Sequence, residues 1–258
     1  MGGEGPTLVK GRRKSGYSPD APDWQIEQAG SSAVLFRRGE PAPIVAEWFR
    51  DRYWRERNLI VGKEPGRGAV LFVRRGEQTW ALRHYRRGGA VARLTVDRYL
   101  WTGLERTRPF REWWLLRDLH NCGLPVPNPV AAHVNRSGLT WRGEIITERI
   151  ADTRSLASVM TAGGIDAGAW EAVGATLRRF HDRGVDHADL NAHNILLDAG
   201  MQVFLVDFDR GAVRTGADWK RRNLNRLRRS LYKIARTGGG AFEEPDWNRL
   251  LQGYGSAA

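Results

Sequence analysis

Hydrophobic positions recur along this chain at two spacings. Trp170, Val173, Leu177 and Phe180 fall at i, i+3, i+7 and i+10, so a helix with one buried face is predicted over 169–181. A shorter helical stretch, 155–160, precedes it. Residues 108–119 read as a third helix, with Pro109 in its first turn and Gly123, Pro125, Pro127 and Pro129 ending it. Between 46 and 60 a short amphipathic helix runs into a strand. Strand spacing takes over in 70–73 and 79–85, joined by a turn at Gly76-Glu77, and 130–134 with 144–148 form a second strand pair that completes the sheet. Residues 1–23 are rich in Gly, Pro, Lys and Arg without periodicity and are expected to form a mobile tail.

Composition adds three constraints. With 41% hydrophobic and 27% charged residues, the 258-residue chain has the balance of an ordinary soluble globular protein, with one bilobal domain or two small ones. Cys122 is the single cysteine, which rules out a disulfide framework or a cysteine metal site and suits a reducing compartment. No apolar run approaches the roughly 20 residues of a membrane span, and the Met1 end lacks a signal-type apolar core.

The charge is unusual. A formal net charge of +12 points either to an anionic partner or to an arginine-biased composition. The excess gathers after Asp209, in Arg210, Arg214, Lys220, Arg221, Arg222, Arg226, Arg228, Arg229, Lys233 and Arg236. Leu224, Leu227, Leu231 and Ile234 give this stretch an apolar stripe, so it reads as a basic amphipathic helix. Such a helix either meets anionic head groups or substrate phosphates, or simply presents a solvated face. Most of the 11 tryptophans lie in apolar-periodic segments and belong to cores, with Trp219 and Trp247 as candidate interfacial exceptions.

The chemistry gathers in His187-Ala188-Asp189-Leu190-Asn191-Ala192-His193-Asn194-Ile195-Leu196-Leu197, followed by Val206-Asp207-Phe208-Asp209. An Asp, an Asn five residues on, a short apolar strand and an Asp closing a second strand are the spacing of a protein-kinase-like phosphoryl-transfer site. Phosphoryl transfer needs in-line positioning and metal charge more than covalent help. Asp189 is the candidate base and positioner of the acceptor hydroxyl. Asn194 and Asp207 are candidate Mg2+ ligands, sharing the cation with nucleotide phosphates. Asp189 and Asn194 taken singly would pass for turn residues. Asp209 stands where the D-F-G pattern has Gly, and either touches metal or pairs with Arg210. Ala188 stands where a regulated kinase carries Arg, which argues against control by a phosphorylated activation segment.

Arg83 occupies the strand position of the phosphate-gripping Lys, and Glu112 is its natural ion-pair partner. Both also fit ordinary surface charges. Gly66 and Gly68, with Gly62, can let backbone N–H groups approach phosphates, although the spacing departs from G-x-G-x-x-G. Glu148 and Ile150 fall where a hinge would offer backbone groups to adenine.

Beyond the loop, the strings Leu82-Arg83-His84-Tyr85-Arg86-Arg87-Gly88-Gly89, Arg98 to Arg108, Gly123 to Ala132, Ile146-Thr147-Glu148-Arg149-Ile150 and Val206 to Gly211 carry a closer likeness. From about residue 30 onward the chain resembles the 3-deoxy-D-manno-octulosonic acid (Kdo) kinases of Gram-negative bacteria. That resemblance implies an α+β, bilobal protein-kinase-like fold. A small antiparallel-sheet N-lobe is expected over 24–148 and a reduced, mostly helical C-lobe over 149–258. It implies ATP-dependent phosphorylation of the Kdo 4-hydroxyl on Kdo-lipid A precursors in lipopolysaccharide core synthesis, by a peripheral protein on the cytoplasmic side of the inner membrane. It assigns Asp189, Asn194 and Asp207 the roles given above.

The implied partners are a Kdo-lipid A type glycolipid and an anionic membrane surface met through residues around 219–236, with no nucleic acid. Only 208–258 follow Asp207, too few residues for the large peptide-docking lobe of a protein kinase, which favours a small or lipid-linked acceptor. Two rival readings stand: another small-molecule kinase of this fold, acting on core heptose or an aminoglycoside, and a basic membrane- or nucleic-acid-binding module without catalysis.

Overall fold

The computed structural model describes residues 7–8, 23–38, 44–64, 70–85, 98–238 and 240–256. The chain divides into two compact units, one of residues 1–114 with 128–149 and one of 115–127 with 150–258. The fold is α+β and bilobal, as the sequence implies. The division differs from a simple cut at 148, because 115–127 belong with the second unit.

Among the described residues the first unit is built on a nine-stranded sheet. Its strands are β1 (Thr7–Leu8), β2 (Trp24–Ala29), β3 (Ser32–Arg37), β4 (Ile60–Glu64), β5 (Val70–Arg75), β6 (Gln78–His84), β7 (Tyr99–Leu100), β8 (Pro129–Ser137) and β9 (Thr140–Glu148). They run in the order β1-β2-β3-β8-β9-β6-β5-β4, with β7 pairing β9, and every pairing is antiparallel. Both hairpins read from the sequence are present, and the β5–β6 turn places Gly76 at φ 57, where glycine has no Cβ penalty. The β2–β3 hairpin lies outside what the sequence reading predicted. Thr7 and Leu8, within the expected tail, pair with Gln28 and Glu27 of β2; the other residues of 1–22 lie outside the described residues.

A 3-10 turn (Ala46–Phe49) and α1 (Asp51–Glu56) supply Trp48, Phe49 and Trp54 to one core with Val73, Trp80, Leu82, Val130 and Ile146. The alternation of strands β5 and β6 is what aims Val73, Trp80 and Leu82 at that core. The same unit holds a half-buried polar chain. His133 Nδ1 donates to Glu144 at 2.7 Å, His133 Nε2 lies 2.9 Å from the Ser32 hydroxyl, and His84 bridges Glu144 and Asp51.

Helix α2 (Arg108–Asn121) starts in the first unit and ends in the second. Its end is closed by Gly123 at φ 68 and by Leu124 N–H donating to the Leu119 carbonyl at 3.1 Å.

The second unit holds α3 (Leu156–Thr161), α4 (Ala167–Asp182), α5 (Asp218–Arg236) and α6 (Glu244–Ser256). It also has five short strands: β10 (Arg154–Ser155), β11 (Val185–Asp186), β12 (Ile195–Leu197), β13 (Val203–Leu205) and β14 (Ala212–Val213). Ser155 and Asp166 cap α3 and α4 through bonds to Ser158 N–H (3.1 Å) and Ala169 N–H (2.7 Å). Trp170, Val173, Leu177 and Phe180 are all buried, as the periodicity of α4 requires. Helices α4 and α6 touch backbone to backbone. A Cβ on Gly174 would stand 1.9 Å from the Leu250 carbonyl oxygen, and one on Gly253 would stand 2.1 Å from that of Glu171. Among the described residues no helix is long and apolar enough to cross a membrane.

Candidate active site

The loop 187–194 and the strands that follow it lie wholly in the second unit. Strands β12 and β13 form a hairpin with Ile195 opposite Leu205, and one rung further Val206 N–H donates to the Asn194 carbonyl at 3.0 Å. Asn194 and Asp207 therefore emerge at the same end of one hairpin. Asp207 has φ 66, a left-handed conformation that costs a non-glycine residue about 1 kcal/mol or more. Its neighbours impose that conformation. The Val206 carbonyl accepts a bond from His187 Nε2 (2.9 Å), and Phe208 is buried, its ring 4.6 Å from the His187 imidazole and 5.9 Å from Phe180.

Within the loop, the Asp189 carbonyl accepts from the side-chain amides of both Asn191 (2.8 Å) and Asn194 (3.0 Å). The Asn194 NH2 group is thereby tied to the loop backbone, which fixes the side chain in place. The Asp189 carboxylate points outward and accepts from Arg226 Nη1 at 2.9 Å. Ala192 N–H donates to the Ser230 hydroxyl on α5 at 3.2 Å, a second tie between helix and loop.

The base of the loop is fixed by a buried polar chain. Asp186 accepts from Asn223 Nδ2 (2.7 Å) and Arg214 Nε (2.6 Å), and Asn223 Oδ1 accepts from His187 N–H (3.1 Å). His187 is fully enclosed, and burial pushes its imidazole below the usual histidine range, although the Val206 carbonyl and the charges of Asp207 and Asp189 oppose this. It is thus a neutral ring with its proton on Nε2, and it holds Val206 rather than exchanging protons.

In the first unit, Arg83 on β6 pairs with Glu112 on α2, and the Tyr85 hydroxyl donates to the other carboxylate oxygen. Glu112 is 2% exposed, so this pair is buried rather than a surface charge contact. Glu148 and Ile150 have other bonds. Glu148 N–H donates to the Asn128 carbonyl, its carboxylate accepts from Asn128 Nδ2, and the Ile150 carbonyl accepts from Thr153. Gly66 and Gly68 lie outside the described residues, and Gly62 sits in β4.

On α5 the structure departs from the predicted stripe. The buried residues are Trp219, Asn223, Leu227 and Leu231, while Leu224 and Ile234 are only half-buried. Trp219 and Trp247 are buried and not interfacial. Trp219 donates to the Gly216 carbonyl and meets the edge of His181. The sequence reading missed Asp186, Asn223, Arg226 and Tyr85. Asn223 carried a signal, since it stands midway between Trp219 and Leu227 at helical spacing, where a polar residue is buried only to bond something.

Loop, hairpin and left-handed aspartate, with an arginine–glutamate pair joining a strand to a helix, place the chain among protein-kinase-like folds. Residues 51–254 match the lipopolysaccharide kinase (Kdo/WaaP) family, and the chain belongs to that family. It is 43% identical over 232 residues to the 3-deoxy-D-manno-octulosonic acid kinase of Stenotrophomonas maltophilia (strain R551-3), covering 90% of this chain and 92% of that one. It is 44% identical over 229 residues to the protein of the same name from Xanthomonas oryzae pv. oryzae (strain PXO99A), covering 88% and 91% respectively.

Proposed function

We propose that this protein transfers the γ-phosphoryl group of ATP to the 4-hydroxyl of Kdo on a Kdo-lipid A type glycolipid. The observation that carries the reading is the fixed geometry of Asp189, Asn194 and Asp207 on one loop and hairpin, in a chain whose relatives are named for this sugar acid. Asp189 positions the acceptor hydroxyl and takes its proton on a carboxylate oxygen as the O–P bond forms and the bond to ADP breaks.

Asn194 Oδ1 and the Asp207 carboxylate are hard oxygen donors suited to Mg2+. Among the described residues no group of three His, Cys, Asp or Glu is assembled to hold a metal unaided, which suits a cation that takes one or two protein ligands and completes its shell with phosphates and water. When bound, Mg2+ supplies positive charge to the phosphate oxygens. Arg83, held by Glu112, is the cation of the first unit suited to phosphate oxygens. The 148–150 segment meets adenine. The exposed cations of α5 draw the protein to an anionic membrane surface on the cytoplasmic side, as a peripheral protein.

The test is to incubate purified protein with labelled ATP, Mg2+ and a Kdo-bearing lipid, and then to locate the phosphate. Label at the Kdo 4-hydroxyl, lost by at least about 100-fold in Asp189→Asn, is expected. Label on heptose or another acceptor, or unchanged activity in Asp189→Asn, would overturn the assignment.

A further inference from the structure

The Asp189–Arg226 pair is not explained by stability. Its side chains are 58% and 48% exposed, and an ion pair so open to water contributes little to folding. It also occupies the carboxylate that must meet the acceptor hydroxyl. Arg226 is one of a row. Arg222, Arg226, Arg229, Lys233 and Arg236 follow one another at i, i+4, i+7, i+11 and i+14, so they share one face of α5 over about 21 Å. All five are exposed, and Arg222, Arg229, Lys233 and Arg236 meet no acidic side chain among the described residues. The other paired cations of the helix, Lys220 and Arg228, bind Asp182 and Glu244 instead. The approach to Asp189 along α5 is therefore cationic, and Arg226 is its innermost charge.

Resting on the reading that the acceptor is a sugar acid, we infer that Arg226 recognises the acceptor's own carboxylate and so sets specificity for an acidic over a neutral sugar. A guanidinium presents five N–H donors in a flat fork and can hold two carboxylates at once. With one Nη on Asp189, its remaining donors take the sugar carboxylate. Base and acceptor are then registered against the same planar group, and the hydroxyl to be phosphorylated is delivered to the free side of Asp189.

The experiment compares two glycolipid acceptors, the natural Kdo carboxylate and its carboxamide, which keeps the shape and loses the charge. The wild-type protein should prefer the acid by on the order of 10- to 100-fold in kcat/KM, chiefly through KM. Arg226→Gln should lose most of that preference, its kcat/KM falling much further on the acid than on the amide. Arg226→Lys should regain part of the preference, whereas Arg229→Gln, on the same face, should keep it whole. Matching circular dichroism and melting curves secure the comparison, and Arg226→Lys carries it alone if Arg226→Gln does not fold. Retention of the full preference by Arg226→Gln, an equal fall in kcat/KM on both acceptors in a folded variant, or an equal loss of preference in Arg229→Gln would overturn the inference. If the wild type phosphorylates neither acceptor, the function proposed above falls and takes this inference with it. If the wild type is active and only the discrimination is unchanged, this inference alone falls.

Discussion

His181 offers a test of the second unit that needs no substrate. It is buried on α4, with Nδ1 2.8 Å from the Tyr254 hydroxyl and its ring edge-on to Trp219 at 5.0 Å. Burial, reinforced by the nearby Lys220 charge, pushes its pKa down from 6.5 to about 4, against the weaker opposing effects of Asn223, Asp186 and Asp182. Above pH 6.5 the ring is neutral in both folded and unfolded chains, and the stability linked to it is fully present. As pH falls, the unfolded chain takes up a proton that the folded chain refuses until about pH 4. At about 1.4 kcal/mol per pH unit, roughly 2 kcal/mol is lost between pH 8 and pH 5, rising towards about 3 kcal/mol below pH 4. Urea unfolding of the wild type and His181→Gln at intervals from pH 8 to pH 5 measures this directly. The variant should be the less stable protein at pH 8, and the gap should narrow by about 2 kcal/mol at pH 5. A gap independent of pH would show that His181 is protonated in the folded state or already perturbed in the unfolded one, and the reasoning would fail. Because His181 also engages Asn223, which holds Asp186 and the His187 backbone, acid should weaken the loop that bears Asp189 before the unit melts.

Further outcomes are expected. Glu112→Gln removes the anion shared by Arg83 and the Tyr85 hydroxyl and should cost about 3 kcal/mol in denaturant unfolding. Arg83→Met with Glu112→Leu should recover most of that stability without restoring nucleotide affinity, and a double variant that binds ATP normally would remove Arg83 from the site. Gly174→Ala gains about 1 kcal/mol of helix propensity but drives a methyl group into the Leu250 carbonyl, so α4 and α6 must separate at a cost of roughly 1–3 kcal/mol; a melting temperature at or above wild type would refute the packing argument. His84 sits above the usual histidine range, because its bonds to Glu144 and Asp51 outweigh the burial that opposes them. Its stabilisation is complete below about pH 6.5 and fades as pH rises through the raised value, so Glu144→Gln should cost most at mildly acid pH, and a cost unchanged from pH 6 to pH 9 would contradict the linkage. Binding to anionic vesicles should weaken from 50 to 300 mM salt and fall further in the triple variant Arg222→Gln, Arg229→Gln, Lys233→Gln; salt-insensitive binding would exclude α5 as the contact.

What the sequence made legible was local. The 187–197 run, the hairpin at Gly76, the buried face of α4 and the Arg83–Glu112 pairing all follow from short spacings or from one strand and the next helix. What escaped it depends on partners far along the chain. Strands β2 and β3 gain their place from β8, with Val34 opposite His133 about 100 residues away. Asn223 is buried because Asp186 and His187 meet it 36–37 residues earlier, which also displaces Leu224 and Ile234 from the inner face. Trp219 and Trp247 resemble membrane-interface residues when only their basic neighbours are considered, but both pack inward. Arg226 was one arginine among many until the fold brought it to Asp189.

The left-handed backbone at Asp207 sets local robustness against usefulness. Glycine would occupy that conformation more comfortably, so a library selected only for heat tolerance should drift towards Asp207→Gly, and its winners would be hardier proteins without the carboxylate proposed for the nucleotide's cation.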